Sequence, residues 1–191
     1  MHKPNALRAK APGVSLVAAF AVVLLGCPAK DPPQTVAHVD LERYMGLWYE
    51  IAKFPVFFER GLVAVTAEYT LEDDGRIRVI NRGLKESFDG KASMIQGRAK
   101  VPDPEQPGKL RVRFDPFPAR LFAGDYWIVD LDENYEYAVV SGPSRKVLWI
   151  LSRTSTMDDE RYQDIVQRLA ERGFDVDKLE KTPQPEPSKK E

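Results

Sequence analysis

The sequence predicts an all-β domain, an eight-stranded up-and-down antiparallel barrel with one C-terminal α-helix packed outside it. Three observations carry that expectation. Eight segments between Gly46 and Ser152 have strand-like composition, several with strict alternation of apolar and polar residues. Short runs rich in Asp, Asn, Gly and Pro divide them, too brief for the crossover helices that parallel strands need. Behind the eighth segment, Tyr162, Ile165, Val166 and Leu169 fall at the spacing of one helical face. Closure into a barrel removes the exposed edges that an open sheet of this kind leaves.

The amino-terminal end stands apart from the domain. Lys3, Arg8 and Lys10 precede an acid-free apolar run from Val14 to Leu25, followed by Gly26 and Cys27. A basic start, a short apolar centre and a small residue describe an export signal over residues 1–26, and the run is too short to span a bilayer as a helix. Leu24-Leu25-Gly26-Cys27 resembles the lipobox of bacterial lipoproteins, which implies diacylglycerol on the Cys27 thiol and cleavage just before it. The alternative is an ordinary cleaved signal with an incidental thiol. Cys27 is the only cysteine, so no intramolecular disulfide can form and the domain relies on its core.

The whole chain of 191 residues is 43% hydrophobic and 30% charged, the composition of one ordinary folded domain with a sizeable core. Losing Lys3, Arg8 and Lys10 with the signal leaves 25 basic residues against 29 acidic ones, a net charge of −4. With no basic block, nucleic acid is not an expected partner.

Residues 27–39 are Pro-rich and aperiodic and read as a lipidated tether. The domain follows over residues 40–180. Asp40 caps one helical turn through Met45, and Gly46 opens the first strand, Gly46-Leu47-Trp48-Tyr49-Glu50-Ile51-Ala52-Lys53-Phe54, which Pro55 ends. Val63, Val65, Ala67 and Tyr69 alternate with polar or small neighbours in the second strand, and Glu72-Asp73-Asp74-Gly75 turns the chain into a third containing Ile77 and Val79. Lys91–Val101 is a strand interrupted by Gly97, and the Pro-rich turn from Pro102 to Gly108 separates it from the alternation of Leu110, Val112 and Phe114. Tyr126–Leu131, Glu136–Ser141 and Val147–Ser152 complete the set. Ser155 or Thr156 is the expected helix cap and Gly173 the expected stop. The last stretch, residues 181–191, is dominated by Pro, Glu, Ser and Lys and is expected to be disordered.

The first strand and its continuation through Glu59-Arg60-Gly61 resemble the signature of the lipocalins, and most closely the bacterial outer-membrane lipocalins and their apolipoprotein-D-like relatives. Asp130-Leu131-Asp132-Glu133-Asn134-Tyr135 is similar to the second motif of that family, and Leu148-Trp149-Ile150-Leu151-Ser152-Arg153 to the third. The resemblance covers Asp40 to about Leu179. It implies that Gly46, Trp48 and Arg153 are structural, with the arginine stacked on the tryptophan to close the barrel base.

Strand direction sorts the loops between two rims. The rim opposite Trp48 receives Phe57, Phe58, Phe88, Phe117 and Phe122, five of the nine phenylalanines, which reads as an apolar entrance; the alternative is that these loops fold back into the upper core. The inferred inward face is Val63, Val65, Ala67 and Tyr69, then Ile77, Val79 and Asn81, then Ile95, Leu110, Val112, Phe114, Tyr126, Ile128, Trp149 and Leu151. From it and the entrance come the candidate ligand contacts: Phe57, Val63, Val65, Tyr69, Asn81, Phe114, Tyr126, Trp149 and Leu151. Asn81 and the hydroxyls of Tyr69 and Tyr126 are candidates to orient a head group, with backbone and water as competing partners.

Catalysis finds little support in the residues. His2 leaves with the signal and His38 lies in the tether, so no histidine-based triad forms, and no metal-ligand cluster is apparent. Glu50, Glu59 and Asp130 read as scattered acids, solvated or paired. The expected function is that of a lipoprotein of the cell outer membrane, facing the periplasm, which binds a fatty acid or lysophospholipid without a cofactor and stores or transfers it. Pro28, in place of the aspartate often read as an inner-membrane retention signal, agrees with that location. A homodimer is compatible with this reading. The rivals are an envelope lipid hydrolase or isomerase and a structural lipoprotein with a filled barrel.

Overall fold

The computed structural model describes residues 31–115 and 124–186. The signal segment, Cys27, Pro28, Phe117, Phe122 and the tail beyond residue 186 lie outside them. A helical turn, α1 (Leu41–Tyr44), leads into β1 (Gly46–Lys53), β2 (Leu62–Leu71), β3 (Ile77–Lys85), β4 (Ala92–Lys100), β5 (Lys109–Asp115), β6 (Gly124–Leu131), β7 (Tyr137–Ser141) and β8 (Leu148–Ser152). Helix α2 (Asp159–Glu171) and a two-residue strand, β9 (Glu180–Lys181), follow. Each strand from β2 to β8 pairs antiparallel with the next, and β1 pairs with both β8 and β2, which closes the barrel.

Alternation along the strands creates two apolar clusters rather than one. Trp48, Tyr69, Ile77, Val79, Val112, Ile128, Val140 and Leu151 pack inside the barrel. Ile51, Phe54, Val129, Val139, Leu148 and Ile150 face outward and are covered by Tyr162, Ile165 and Leu169 of α2. Two bulges sort residues between the clusters. The register slips between Glu50 and Ala52, which turns both Ile51 and Ala52 toward the helix. It slips again between Ile128 and Asp130, which puts Asp130 on the outer face within reach of Arg168 on α2, at 3.3 Å.

Caps fix the helices where the sequence supplies donors and turns. Asp40 accepts from the Arg43 amide at 3.1 Å and starts α1. For α2 the cap is Asp158, which accepts from the amides of Glu160 and Arg161. This corrects the expectation of Ser155 or Thr156, because the chain bends at residues 153–155 and stays non-helical through Asp158. At the far end Gly173, with φ +79, lets its own amide reach Ala170 and that of Phe174 reach Leu169, a left-handed cap that also stacks Phe174 under the helix. Gly97 has a different task, since a Cβ there would lie 2.6 Å from the Arg113 carbonyl across the β4–β5 pair.

Both flanking segments are more ordered than their composition predicts. In the presumed tether, Pro33 is buried, the Val36 amide donates to Ile128 at 3.0 Å, and the Gln34 carbonyl accepts from Arg172 at 2.7 Å. At the other end of the chain, β9 pairs with Ala52 and Lys53, and residues 182–184 continue along the wall. Disorder from residue 181 therefore does not hold for Lys181 to Gln184. Backbone hydrogen bonds left open where β1 and β2 diverge are what these residues satisfy: Thr182 donates to Ile51, Ala64 donates to Pro183, and the Gln184 amide group donates to Glu50 and Val65.

Candidate functional site

The base of the barrel is sealed from its first residues. Trp48 is fully buried and donates through Nε1 to the Tyr44 carbonyl at 2.9 Å. The Arg153 guanidinium lies 3.8 Å from the Trp48 ring centre and donates to the carbonyls of Tyr135, Leu47 and Arg43. Burial pulls the Arg153 guanidinium below its ordinary range. Gly46 makes room for it, because φ is +94 there and an added Cβ would meet Arg153 Nη1 at 3.4 Å.

Above this plug three tyrosines make a floor. Tyr126 sits between Tyr44, at 2.7 Å between hydroxyls, and Tyr69, at 3.0 Å. Burial pushes the Tyr69 hydroxyl up to about 12 and holds those of Tyr44 and Tyr126 well above their usual range, so all three stay neutral. Of the alternatives that the sequence left open for Tyr69 and Tyr126, each hydroxyl takes a neighbouring tyrosine as its partner.

Over the floor lies a cavity of about 240 Å³. Its wall includes Val65, Tyr69, Asn81, Phe114, Tyr126, Trp149 and Leu151 from the candidate set. Val63 and Phe57 lie outside that wall, which corrects their placement. The cause at Val63 is a register slip between Val63 and Thr66, with Ala64 at φ +50, that breaks the alternation at the top of β2. Phe57 starts a single 3-10 turn, Phe57–Glu59, that leaves its ring 71% exposed while Phe58 takes the place at the cavity.

The larger correction concerns the acids. Glu50 and Glu59 are only 2% and 9% exposed, and both line the cavity. Burial and the neighbouring Glu59 push the Glu50 carboxyl up to about 8, and burial raises Glu59 as well. The two share a hydrogen bond; Glu50 also accepts from the Thr182 hydroxyl, and Glu59 accepts from Trp149 Nε1 at 3.2 Å. Lys53, itself buried, is the nearby cation and bridges to Glu180 at 3.6 Å. Strand alternation carried the missed signal: Glu50 is two residues from Trp48, and Trp48 points inward. Nothing comparable marks Glu59, which the 3-10 turn folds inward. Asp130, by contrast, is paired outside the barrel with Arg168.

At the open rim Phe58, whose ring meets that of Phe57 edge-on, and Phe88 are 43% and 49% exposed. The amino-terminal segment links the two ends. Its Asp40 amide donates to the Tyr135 hydroxyl at 2.7 Å by the base, and the Asp31 carbonyl accepts from Arg145 in the β7–β8 loop, which belongs to the open rim.

A closed barrel with a plugged base and an apolar chamber beneath an open rim is a binding barrel for one small molecule. Residues 39–184 match the family profile of the lipocalin-like domain. The chain is 43% identical over 160 residues to temperature-induced lipocalin-1 of Arabidopsis thaliana, covering 81% of this chain and 84% of that one. It is 42% identical over 165 residues to outer membrane lipoprotein Blc of Escherichia coli K12, covering 85% and 89%. With apolipoprotein D of Mus musculus it shares 33% over 166 residues, covering 83% and 82%. Among solved structures, insecticyanin of the tobacco hornworm Manduca sexta has the same fold at a TM-score of 0.60 and 22% identity, covering 84% of this chain and 87% of that one. The chain belongs to the lipocalin family.

Proposed function

We propose that this protein binds a single-chain lipid, a fatty acid or lysophospholipid, and stores or transfers it at the bacterial outer membrane, to which lipidated Cys27 tethers it. The observation that carries this reading is the apolar cavity itself, closed below by the tyrosine floor and open above between phenylalanines. Its volume of about 240 Å³ falls below the roughly 300–1,000 Å³ usual for small-molecule clefts, which suits one slender chain better than a bulky ring system. Support for the location comes from the Blc relatives, which are outer membrane lipoproteins by name. Support for the orientation comes from the amino-terminal segment: Asp31, four residues beyond Cys27, is held at the open rim, so an anchor on Cys27 brings the mouth toward the bilayer.

Mass spectrometry of lipid extracted from the purified Cys27→Ser protein tests the binding reading. The expected result is one single-chain amphiphile in near-stoichiometric amount. A delipidated protein that takes up no single-chain lipid from solution would instead point to a filled, structural barrel. Anchoring is tested by the same variant, because several acyl chains hold a protein on a membrane where one chain is marginal. Cys27→Ser is expected to fold normally and appear in the soluble fraction, and sedimentation with the envelope after a high-salt wash would rule the Cys27 anchor out.

A further inference from the structure

The cavity presents acceptors and acids but, among the described residues, no cation. Glu50, Glu59 and Asp125 reach its wall, and none of the lining residues is Lys, Arg or His. The Asn81 side-chain oxygen is also buried there without a hydrogen-bond partner. Asp125 is paired with Arg111 at 3.5 Å outside the cavity, and Lys53 is engaged with Glu180. Lys53 attracts both glutamates but is not part of the cavity wall, so within the chamber itself only the proton they share offsets their charge. They also sit at the neck of the chamber, since Glu59 comes from the β1–β2 loop at the open rim while the tyrosines floor the opposite end. A chain inserted tail first therefore places its head group beside them.

We propose that the Glu50–Glu59 pair selects ligands by head group, accepting an ammonium or a hydrogen-bond-donating hydroxyl at the neck and disfavouring a free carboxylate. This rests on the lipid-carrier reading above and narrows it. The physical reason is local. One oxygen of Glu50 accepts from Thr182, one of Glu59 accepts from Trp149, and the shared proton lies between the acids, so the remaining lone pairs face the ligand with no donor to offer. A cation gains the attraction of a half-desolvated negative charge, whereas a carboxylate meets repulsion in a medium that screens it weakly. The other charges near the pair are Lys53 on β1, Glu180 and Lys181 on β9 and Asp125 on β6; Lys181 is drawn to Asp159 on α2.

The test uses three chain-matched probes, dodecylammonium, dodecanol and laurate, in displacement of a fluorescent lysophospholipid from the Cys27→Ser protein at neutral pH. Dodecylammonium is expected to bind about tenfold or more tighter than laurate, with dodecanol between them. Raising the pH through 8, where the pair gives up its proton, is expected to widen that gap. The double variant Glu50→Gln/Glu59→Gln, which keeps shape and removes the charge of the pair, is expected to bring the three probes within about twofold of one another. Equal affinities for the three probes on the unsubstituted pair would overturn the selectivity and leave the carrier reading intact; no binding by any probe would overturn both. The rank order on the unsubstituted pair decides the matter even if a glutamine variant fails to fold.

Discussion

The two ends of the barrel use polar groups in opposite ways. At the base, every polar atom of Trp48 and Arg153 has a partner: the indole N–H and three guanidinium nitrogens all donate to backbone carbonyls. In the chamber above it, two carboxyls near the neck share a proton and the Asn81 amide oxygen, lower on the wall, has no partner. Groups that are fully satisfied hold a structure in one arrangement, whereas buried groups left short are poised for something not yet bound. The base is therefore the scaffold of this protein, and the mouth is where stability has been given up for binding.

The sharpest way to break that contrast is to truncate one aromatic residue at each end. Trp48→Ala opens a large cavity and strands Arg153, with an expected cost of about 3–5 kcal/mol and a clear drop in melting temperature. Phe57→Ala, at a ring 71% exposed, is expected to cost less than about 1 kcal/mol. Similar losses in thermal melts would show that the ends are not specialised as described.

Next in size is the effect of pH on the buried acids. Glu50 keeps its proton up to about 8 in the folded state, while an unfolded glutamate loses it near ~4.3. Between those values the folded form binds more protons, so stability is highest below the lower pKa and falls as pH rises toward the upper one. Glu59 shifts in the same direction. Glu50→Gln is expected to flatten this fall and to be the more stable protein above about pH 8, by a few kcal/mol on the order set by linkage. A parallel pH profile for variant and parent in urea unfolding would place Glu50 in water.

Removing residues 182–191 tests what keeps that pair dry. The deletion takes away the Thr182 hydroxyl on Glu50 and the two Gln184 hydrogen bonds at 2.9 and 2.8 Å. An expected loss of about 1–3 kcal/mol should come with a weaker fall of stability across the same pH range, because water then reaches Glu50. An unchanged pH profile would mean that the carboxyl-terminal segment does not shield the acids.

The smallest expected change in stability comes with a large change in kinetics. Replacing Phe57 and Phe58 by Ser is expected to slow uptake of a fluorescent lysophospholipid from vesicles about tenfold or more, by removing apolar surface that meets the bilayer. Equilibrium affinity should fall far less, since of the two only Phe58 touches the cavity. Stopped-flow transfer measures both quantities, and equal losses would make these residues part of the pocket rather than its entrance.

The sequence by itself determined the parts of this protein whose cause is local. Alternation of period two marked the eight barrel strands, Asp-Gly and Pro-rich turns marked their ends, and one apolar stripe marked α2 and the face it buries. Trp48 and Arg153 were legible because their motifs sit at the start and end of the strand set, which closure must bring together. Only the tertiary structure decided the rest. Whether Val63 faces in or out depends on a bulge whose strain at Ala64 is held by Pro183, far along the chain. Low-hydrophobicity segments such as 31–39, read as part of a tether, and 181–184, read as disordered, bury little of their own, yet they dock by filling hydrogen bonds that the barrel wall leaves open. The acid pair was hidden for the same reason: the protonation of Glu50 is set by Glu59, Lys53 and Thr182, and it exists only once β1, its following loop and the carboxyl-terminal segment have excluded water from one place.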